Sequence, residues 1–336
     1  MKPTNTNNQI TRRQAVARAA QAAAACLVGS AVSPLQAAPP GQPASPAAGR
    51  KLTVGIATLG FDKLTNTDLA KELAGAGCHT IQLFLSQTDS TFWRYNGRAD
   101  VSSLTRDRCQ AIAQTYRSAG LSIHSLGVYT NLIHPDPAER AANLAYFEAM
   151  MEVGRNMGVN VFITEAGHYN NPKAPEPAVP HHFQDAVWPQ MVATIRDLAA
   201  RAEKHDAKVL LEPFHRGFLA SAKRVRVLLE EINSPRIRAL LDPANLIEVN
   251  DLDEMFQQLG PWIDCLHAKD RKLHTDRGVA AGQGDLDYGK LVRLAAQHAP
   301  HAPLIIEYVG PQDYKAALAH LRNALRQAGI EEKMNS

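Results

Sequence analysis

Eight short apolar runs alternate with eight longer amphipathic ones between Lys51 and about residue 330. The short runs are Leu52–Ala57, Thr80–Leu85, Ser122–Val128, Val159–Thr164, Lys208–Leu211, Arg238–Leu241, Ile263–His267 and Leu304–Tyr308. Mostly apolar runs of this length are expected of parallel strands buried on both faces. The runs between them, Asn66–Ala76, Arg106–Ala119, Pro137–Met157, Pro189–His205, Ala222–Ile232, Asp251–Gln258, Asp287–Gln297 and Gln312–Ala328, repeat their apolar residues at helical spacing. Ser103, Asp136-Pro137 and Asp251 are start signals for three of these helices. Eight strand–helix units over this span predict one α/β domain, a (β/α)8 TIM barrel, whose usual size is about 250 residues. A doubly wound nucleotide-binding sheet fits less well. No GxGxxG follows the first strand, and Gly282-Gln283-Gly284 falls late in the chain as a loop turn.

The chain before the first strand has a different character. Residues 1–38 hold Lys2, Arg12, Arg13 and Arg18 and no acid. Arg12-Arg13 precedes an alanine-rich run from Ala19 to Val32, and small residues follow at Ala37-Ala38. This is the order of a cleavable export signal, and the run is too short and too weakly apolar to span a bilayer stably. The arginine pair resembles a twin-arginine signal, although Ala15 stands where that family usually has a bulky apolar residue. The expected organisation is a signal over 1–38, a Pro/Ala-rich linker over 39–50, the barrel over 51–330 and a tail over 331–336. The precursor would then engage the twin-arginine export machinery, and the mature protein would be periplasmic or secreted.

Removing the signal changes the charge argument. The full chain has 36 Lys+Arg against 33 Asp+Glu, a formal charge of +3, and losing four bases takes it to −1. A near-neutral chain with no concentrated basic surface excludes a nucleic-acid partner. Cys26, Cys78, Cys109 and Cys265 form no CxxC pair. That excludes a disulfide scaffold and a four-thiolate zinc site.

The last four strands each end in an ionisable residue. They read Leu211-Glu212-Pro213, Leu241-Asp242-Pro243, Leu266-His267-Ala268 and Ile306-Glu307-Tyr308. Active sites of such barrels sit at the C-terminal ends of the strands, so the four side chains should converge. Three buried carboxylates repel one another, and a divalent cation is their natural compensator. Three oxygen ligands and one imidazole suit Mn, Mg, Co or Zn. Cys265 should face the same way as His267 but lie deeper.

The segments LLEPFH, LLDPAN, CLHAKD and LIIEY, in this order, resemble the xylose-isomerase-like TIM-barrel superfamily and its sugar phosphate isomerase/epimerase branch. The resemblance runs over essentially the whole mature chain. It implies Glu212, Asp242, His267 and Glu307 as metal ligands, with Glu212 and Glu307 also exchanging a proton with substrate. The implied activity is a metal-dependent isomerisation or epimerisation through an enediolate, on a carbohydrate. Asn245 departs from the family's ketose 3-epimerases, which carry a His three residues after the metal Asp. An amide can bind a hydroxyl there but cannot share a proton at neutral pH.

Further pocket candidates follow from loop position. They are Glu165 and His168 after the fourth strand, His215 after the fifth, Asn245 after the sixth, and Lys269 and Arg271 after the seventh. Arg271 would suit a phosphate or carboxylate. Tyr129, Asn131 and His134, and the aromatics Phe92, Trp93 and Tyr95, are candidate lining residues. The Pro-rich stretch Asn170–Trp188, with His181-His182, is a candidate lid. Alternative functions are a metal-dependent lyase or hydrolase on 3-keto-glycosides and a non-catalytic sugar-binding barrel. A homo-oligomer is compatible with all of them.

Overall fold

The computed structural model describes residues 49–168, 180–275 and 277–333. The expected signal and most of the linker lie outside the described residues. Eight parallel strands close into a barrel: β1 Val54–Ala57, β2 Thr80–Leu83, β3 Ser122–Gly127, β4 Val161–Thr164, β5 Lys208–Leu211, β6 Ile237–Leu241, β7 Ile263–Ala268 and β8 Leu304–Ile306. Closure is made by β8, whose Ile305 pairs with Gly55 of β1 on one side and His267 of β7 on the other. A helix follows each strand: α1 Asn66–Gly75, α2 Arg106–Ser118, α3 Pro137–Met157, α4 Val187–Lys204, α5 Ala222–Ile232, α6 Leu252–Leu259, α7 Tyr288–His298 and α8 Tyr314–Gln327. The fold is therefore the single-domain TIM barrel that the alternation predicts.

Two hydrophobic layers hold it. The large outer one joins the strands to the helices, with Leu69, Phe147, Ile195, Leu228, Phe256 and Leu321 among its buried members. The inner one fills the barrel with Ala57, Phe84, Tyr129, Ile163, Leu210, Leu240, Cys265 and Ile305. Each fully buried Leu, Ile or Phe adds about 1.5–3 kcal/mol. The inner layer also forms the floor on which the strand-end residues rest.

Several boundaries differ from the sequence expectation, each for a local reason. The first run splits, because Lys51–Leu52 pair in parallel with Glu331–Glu332 instead of joining the barrel. Helix α2 is capped by Thr105, whose side chain accepts from Arg108 N. Ser103 lies outside the helix, and its Oγ accepts from the Arg108 guanidinium. Helix α4 starts at Val187, ahead of Pro189. A proline is tolerated in a first turn because the N–H it lacks has no partner inside the helix. The caps at Asp136 and Asp251 form as expected. No described helix is long and apolar enough to cross a membrane.

Candidate metal centre and its cavity

Four strand ends meet at one point. Glu212 follows β5, Asp242 follows β6, His267 lies in β7 and Glu307 follows β8, and all four are buried. One potential ligand atom from each falls within 4.8 Å of the other three. His267 Nδ1 lies 3.3 Å from Glu212 Oε1, 3.6 Å from Asp242 Oδ2 and 3.4 Å from Glu307 Oε2. His267 Nδ1 has no hydrogen-bond partner, while Asp242 Oδ2 is paired with Lys269 Nζ at 2.7 Å. Buried polar atoms without partners are rare, and His267 Nδ1 lies within 3.6 Å of all three carboxylates.

The electrostatics ask for positive charge at that point. Burial lowers the His267 pKa, yet Glu307 and Glu212 outweigh it and raise it to about 10. Burial raises Asp242, but Lys269 and His267 bring it down to about 2. Burial raises Glu307, against the pull of His267 and Lys269. A neutral imidazole nitrogen and three carboxylates are a fitting donor set for a divalent cation.

Neighbouring groups fix each ligand's orientation. His267 Nε2 is 2.8 Å from Gln82 Oε1 of β2, an acceptor that leaves Nδ1 facing the carboxylates as the nitrogen that could bind a cation. Tyr129 OH donates to Glu212 Oε2 at 2.6 Å, and Asn245 Nδ2 donates to Glu212 Oε1 at 3.0 Å. Burial first, then Glu212, pushes the Tyr129 phenol well above its ordinary pKa, so it stays a donor. Asp242 divides its two oxygens: Oδ1 caps the turn at Asn245 N, at 3.2 Å, and Oδ2 faces His267. Lys269 Nζ lies 2.7 Å from Asp242 Oδ2 and donates to Glu307 Oε2 at 3.2 Å. Burial opposes its charge, but Asp242 and Glu307 prevail and its pKa rises well above the ordinary value.

A cavity of about 320 Å³ opens beside this centre. One wall is aromatic, with Phe84, Trp93, Tyr95 and Tyr129 from the β2 and β3 ends. Phe214 and Tyr308 face it, and Glu165, Asn245, Lys269 and Arg271 supply polar groups. Tyr308 has a left-handed backbone (φ 58°) directly after Glu307, and its ring lies 4.3 Å from the Lys269 ammonium.

The other sequence candidates separate. Glu165 lines the cavity, and its Oε2 accepts from Tyr95 OH at 2.9 Å. His168 also meets that hydroxyl, at 2.6 Å, but borders a smaller adjoining recess. His215 does not line the cavity; it stands behind Arg271, whose Nη1 donates to His215 Nδ1 at 3.0 Å. Burial, and then Arg271, lowers the His215 pKa, and its Nδ1 also lies 3.1 Å from the Asn245 carbonyl oxygen. Arg271 is 1% exposed, so it belongs to the wall and not to a solvated loop. Asn131 is buried and bonds the His168 carbonyl, while His134 accepts from Asp136 N at the start of α3. Phe92 packs on the outer layer under the Arg108 guanidinium. Of the candidate lid, residues 169–179 lie outside the described residues, and His181–Phe183 form a short 3-10 turn.

Sequence reasoning missed Gln82, Phe84, Phe214 and Tyr308, and it placed Asp270 just beyond the ligands without giving it a role. Gln82 carries a readable signal, as the one amide within the apolar run Thr80–Leu85. Asp270 organises the loop above the cavity. Its carboxylate accepts from the backbone N–H of Arg271, Gly282 and Leu286 at 2.9, 3.1 and 3.1 Å. A Cβ at Gly284 would stand 2.2 Å from Asp270 Oδ1, which explains the second glycine of Gly282-Gln283-Gly284.

The fold and the four-ligand centre define a class, and the chain belongs to it. The xylose isomerase-like TIM barrel family model matches residues 70–324. No curated protein matches the chain by sequence. Among solved structures it is similar to the 3-keto-D-glucoside 4-epimerase of E. coli, at 16% identity and TM-score 0.66 over 81% of this chain and 100% of that one. It is also similar to the D-psicose 3-epimerase of Clostridium cellulolyticum H10 solved with D-tagatose, at 15% identity and TM-score 0.64 over 82% and 99%. A third is a xylose isomerase-like TIM barrel protein from Mycobacterium smegmatis in complex with magnesium, at 14% identity and TM-score 0.63 over 83% and 97%. At these identities the likeness establishes the fold.

Proposed function

We propose that this protein is a divalent-metal-dependent carbohydrate isomerase or epimerase that moves the proton alpha to a carbonyl. One observation carries the proposal: Glu212 and Glu307, from the ends of β5 and β8, line one cavity and meet at the unpartnered Nδ1 of His267. Glu212, Asp242, His267 and Glu307 would hold the cation, which supplies Lewis acidity toward a ketose carbonyl and its neighbouring hydroxyl.

The chain's own groups do the rest. Glu212 is pinned by Asn245 and Tyr129, so its carboxylate holds one fixed position against the bound sugar. Glu307 is tied to Lys269, and burial raises its pKa against the pull of His267 and Lys269. One glutamate removes the alpha proton and the other returns it. Lys269 stands beside the negative charge that develops on the enediolate. The aromatic wall excludes water from the intermediate. Asn245 serves by positioning Glu212, a task an amide performs as well as an imidazole, so the departure at this position is compatible with proton transfer.

The sugar epimerases among the similar structures support a carbohydrate substrate. The similarity to a 3-keto-D-glucoside 4-epimerase also favours a second reading, in which the same proton abstraction expels a leaving group from a 3-keto-glycoside. The proposal includes export: residues 1–38 would be removed and the mature protein would act in the periplasm or outside the cell. Mass spectrometry of the mature N-terminus checks this. The chemistry is tested by incorporation of solvent deuterium into ketoses. Glu212→Gln and Glu307→Gln should each abolish it, and retained exchange in both variants would sink the assignment.

A further inference from the structure

Lys269 shares its carboxylate oxygens with the candidate metal centre. It stands two residues beyond His267 and is 3% exposed. Its Nζ lies 2.7 Å from Asp242 Oδ2 and 3.2 Å from Glu307 Oε2. These same two oxygens face His267 Nδ1, at 3.6 and 3.4 Å. A cation held by the imidazole and these carboxylates would draw on oxygens that already carry an ammonium. Two positive charges so close in a buried site repel strongly.

Tyr308 gives the ammonium a second seat. Its left-handed backbone (φ 58°) is one that a bulky residue keeps only where its surroundings impose it. That backbone lays the ring over Lys269, 4.3 Å from Nζ. Gly278, paired with Arg271 in a short antiparallel hairpin, closes on both side chains. A Cβ there would stand 3.1 Å from the Tyr308 ring and 3.3 Å from Lys269 Cδ. The ring attracts the ammonium through its π face, and it takes no oxygen that a metal could use.

The formal charges give the direction of the effect. Glu212, Asp242 and Glu307 supply three negative charges, and Lys269 offsets one of them. Without the ammonium, a divalent cation would meet the same four side chains with one more negative charge and no competitor. Both changes strengthen its binding. A lysine that merely orients the ligands predicts the opposite, because loss of an orienting partner weakens metal binding.

We infer that Lys269 is a built-in counter-ion that limits the affinity of the centre for a divalent metal, and that Tyr308 is the positioning residue that holds its ammonium when the metal takes the shared oxygens. This rests on the proposed metal chemistry, so the test reads metal affinity apart from turnover. Competition for Mn2+ against a chromophoric chelator should give Lys269→Met a Kd at least about tenfold below wild type. Tyr308→Ala should raise the Kd by about threefold or more, and Tyr308→Phe, which keeps the ring, should stay within about twofold of wild type. In the Lys269→Met background, Tyr308→Ala should change the Kd by less than about twofold, because no ammonium remains to be held. A folded Lys269→Met variant that binds no more tightly than wild type overturns the inference. So does a Tyr308→Ala effect that persists undiminished in the double variant. If circular dichroism shows Lys269→Met unfolded even with saturating Mn2+, the Tyr308 pair decides, and equal affinities of the Ala and Phe variants overturn the inference. A wild type that binds no Mn2+ removes the metal reading and the inference with it. The expected affinities without deuterium exchange into any ketose would remove the proposed reaction while sparing the inference.

Discussion

The sharpest test of the metal centre lies one bond outside it. Gln82 is completely buried on β2, and its Oε1 is 2.8 Å from His267 Nε2. Its own Nε2 has no partner, so Gln82→Leu removes one useful hydrogen bond and no other. Leucine has nearly the volume of glutamine, and the inner barrel should not open a cavity. The cost is a buried imidazole N–H left without an acceptor, about 1–3 kcal/mol. Loss of such an orienting partner typically lowers metal affinity by about 10- to 100-fold, the same range on the scale of 1.4 kcal/mol per decade. Competition for Mn2+ or Zn2+ against a chromophoric chelator measures it, with urea denaturation of the metal-free protein as the control for folding. The expected outcome is a folded variant whose Kd for metal rises by about one to two decades. A folded variant that binds within about twofold of wild type would refute the role given to Gln82. Failure of the wild type to bind any divalent ion would remove the centre itself.

Three further predictions rest on other parts of the structure. Tyr129→Phe removes the 2.6 Å bond to Glu212 and should lower stability to urea by about 1.5–3 kcal/mol; an unchanged midpoint contradicts it. Gly284→Ala brings a Cβ to 2.2 Å from Asp270 Oδ1 and 2.6 Å from the Arg271 backbone, and should cost about 1–3 kcal/mol in a thermal melt. A variant as stable as the parent would show that this loop is slack. Burial, with Lys208 adding and Asp264 opposing, pulls the His124 pKa from 6.5 to about 4, so the folded chain binds its proton less readily than the unfolded one. Stability from this group is full above pH 6.5 and drains away as pH falls toward 4. Urea titrations across that window should show a steeper loss in wild type than in His124→Gln, and parallel curves would refute the assignment.

The fold was legible because a barrel strand is short, apolar and followed by a helix, and each of these is a local property of the chain. The convergence of the four strand-end side chains was legible for a related reason. A charged residue directly after Leu211, Leu241 or Ile306 contradicts its own strand, and the contradiction recurs at one place in successive units. What stayed hidden is whatever depends on closure. Gln82 and His267 are separated by 185 residues and meet only because β2 and β7 face each other across the barrel. Tyr129 could be placed near a pocket, but its bond to Glu212 spans 83 residues. The strain at Tyr308 is likewise invisible, since a tyrosine with φ 58° carries no sequence mark. His215 shows the opposite failure. Its place after a strand suggested the cavity, yet Arg271 comes between them and claims its nitrogen.

The two halves of the barrel divide the work, and the division bears on how such a site can change. Strands β5 to β8 supply Glu212, Asp242, His267, Lys269 and Glu307, the groups that set the charge of the centre and that the proposed function uses for proton transfer. The ends of β2 and β3 supply Phe84, Trp93, Tyr95 and Tyr129, the groups that shape the opposite wall. The acids are mutually constrained, because each pKa depends on its neighbours through burial and close charge. Altering one would disturb all four. The aromatic wall touches the centre mainly through the single Tyr129–Glu212 bond, so Trp93 and Tyr95 can be exchanged without unbalancing those charges. Under the proposed function, proton transfer would therefore fall to the second half of the barrel, while the aromatic wall of the first half could change with less cost to it.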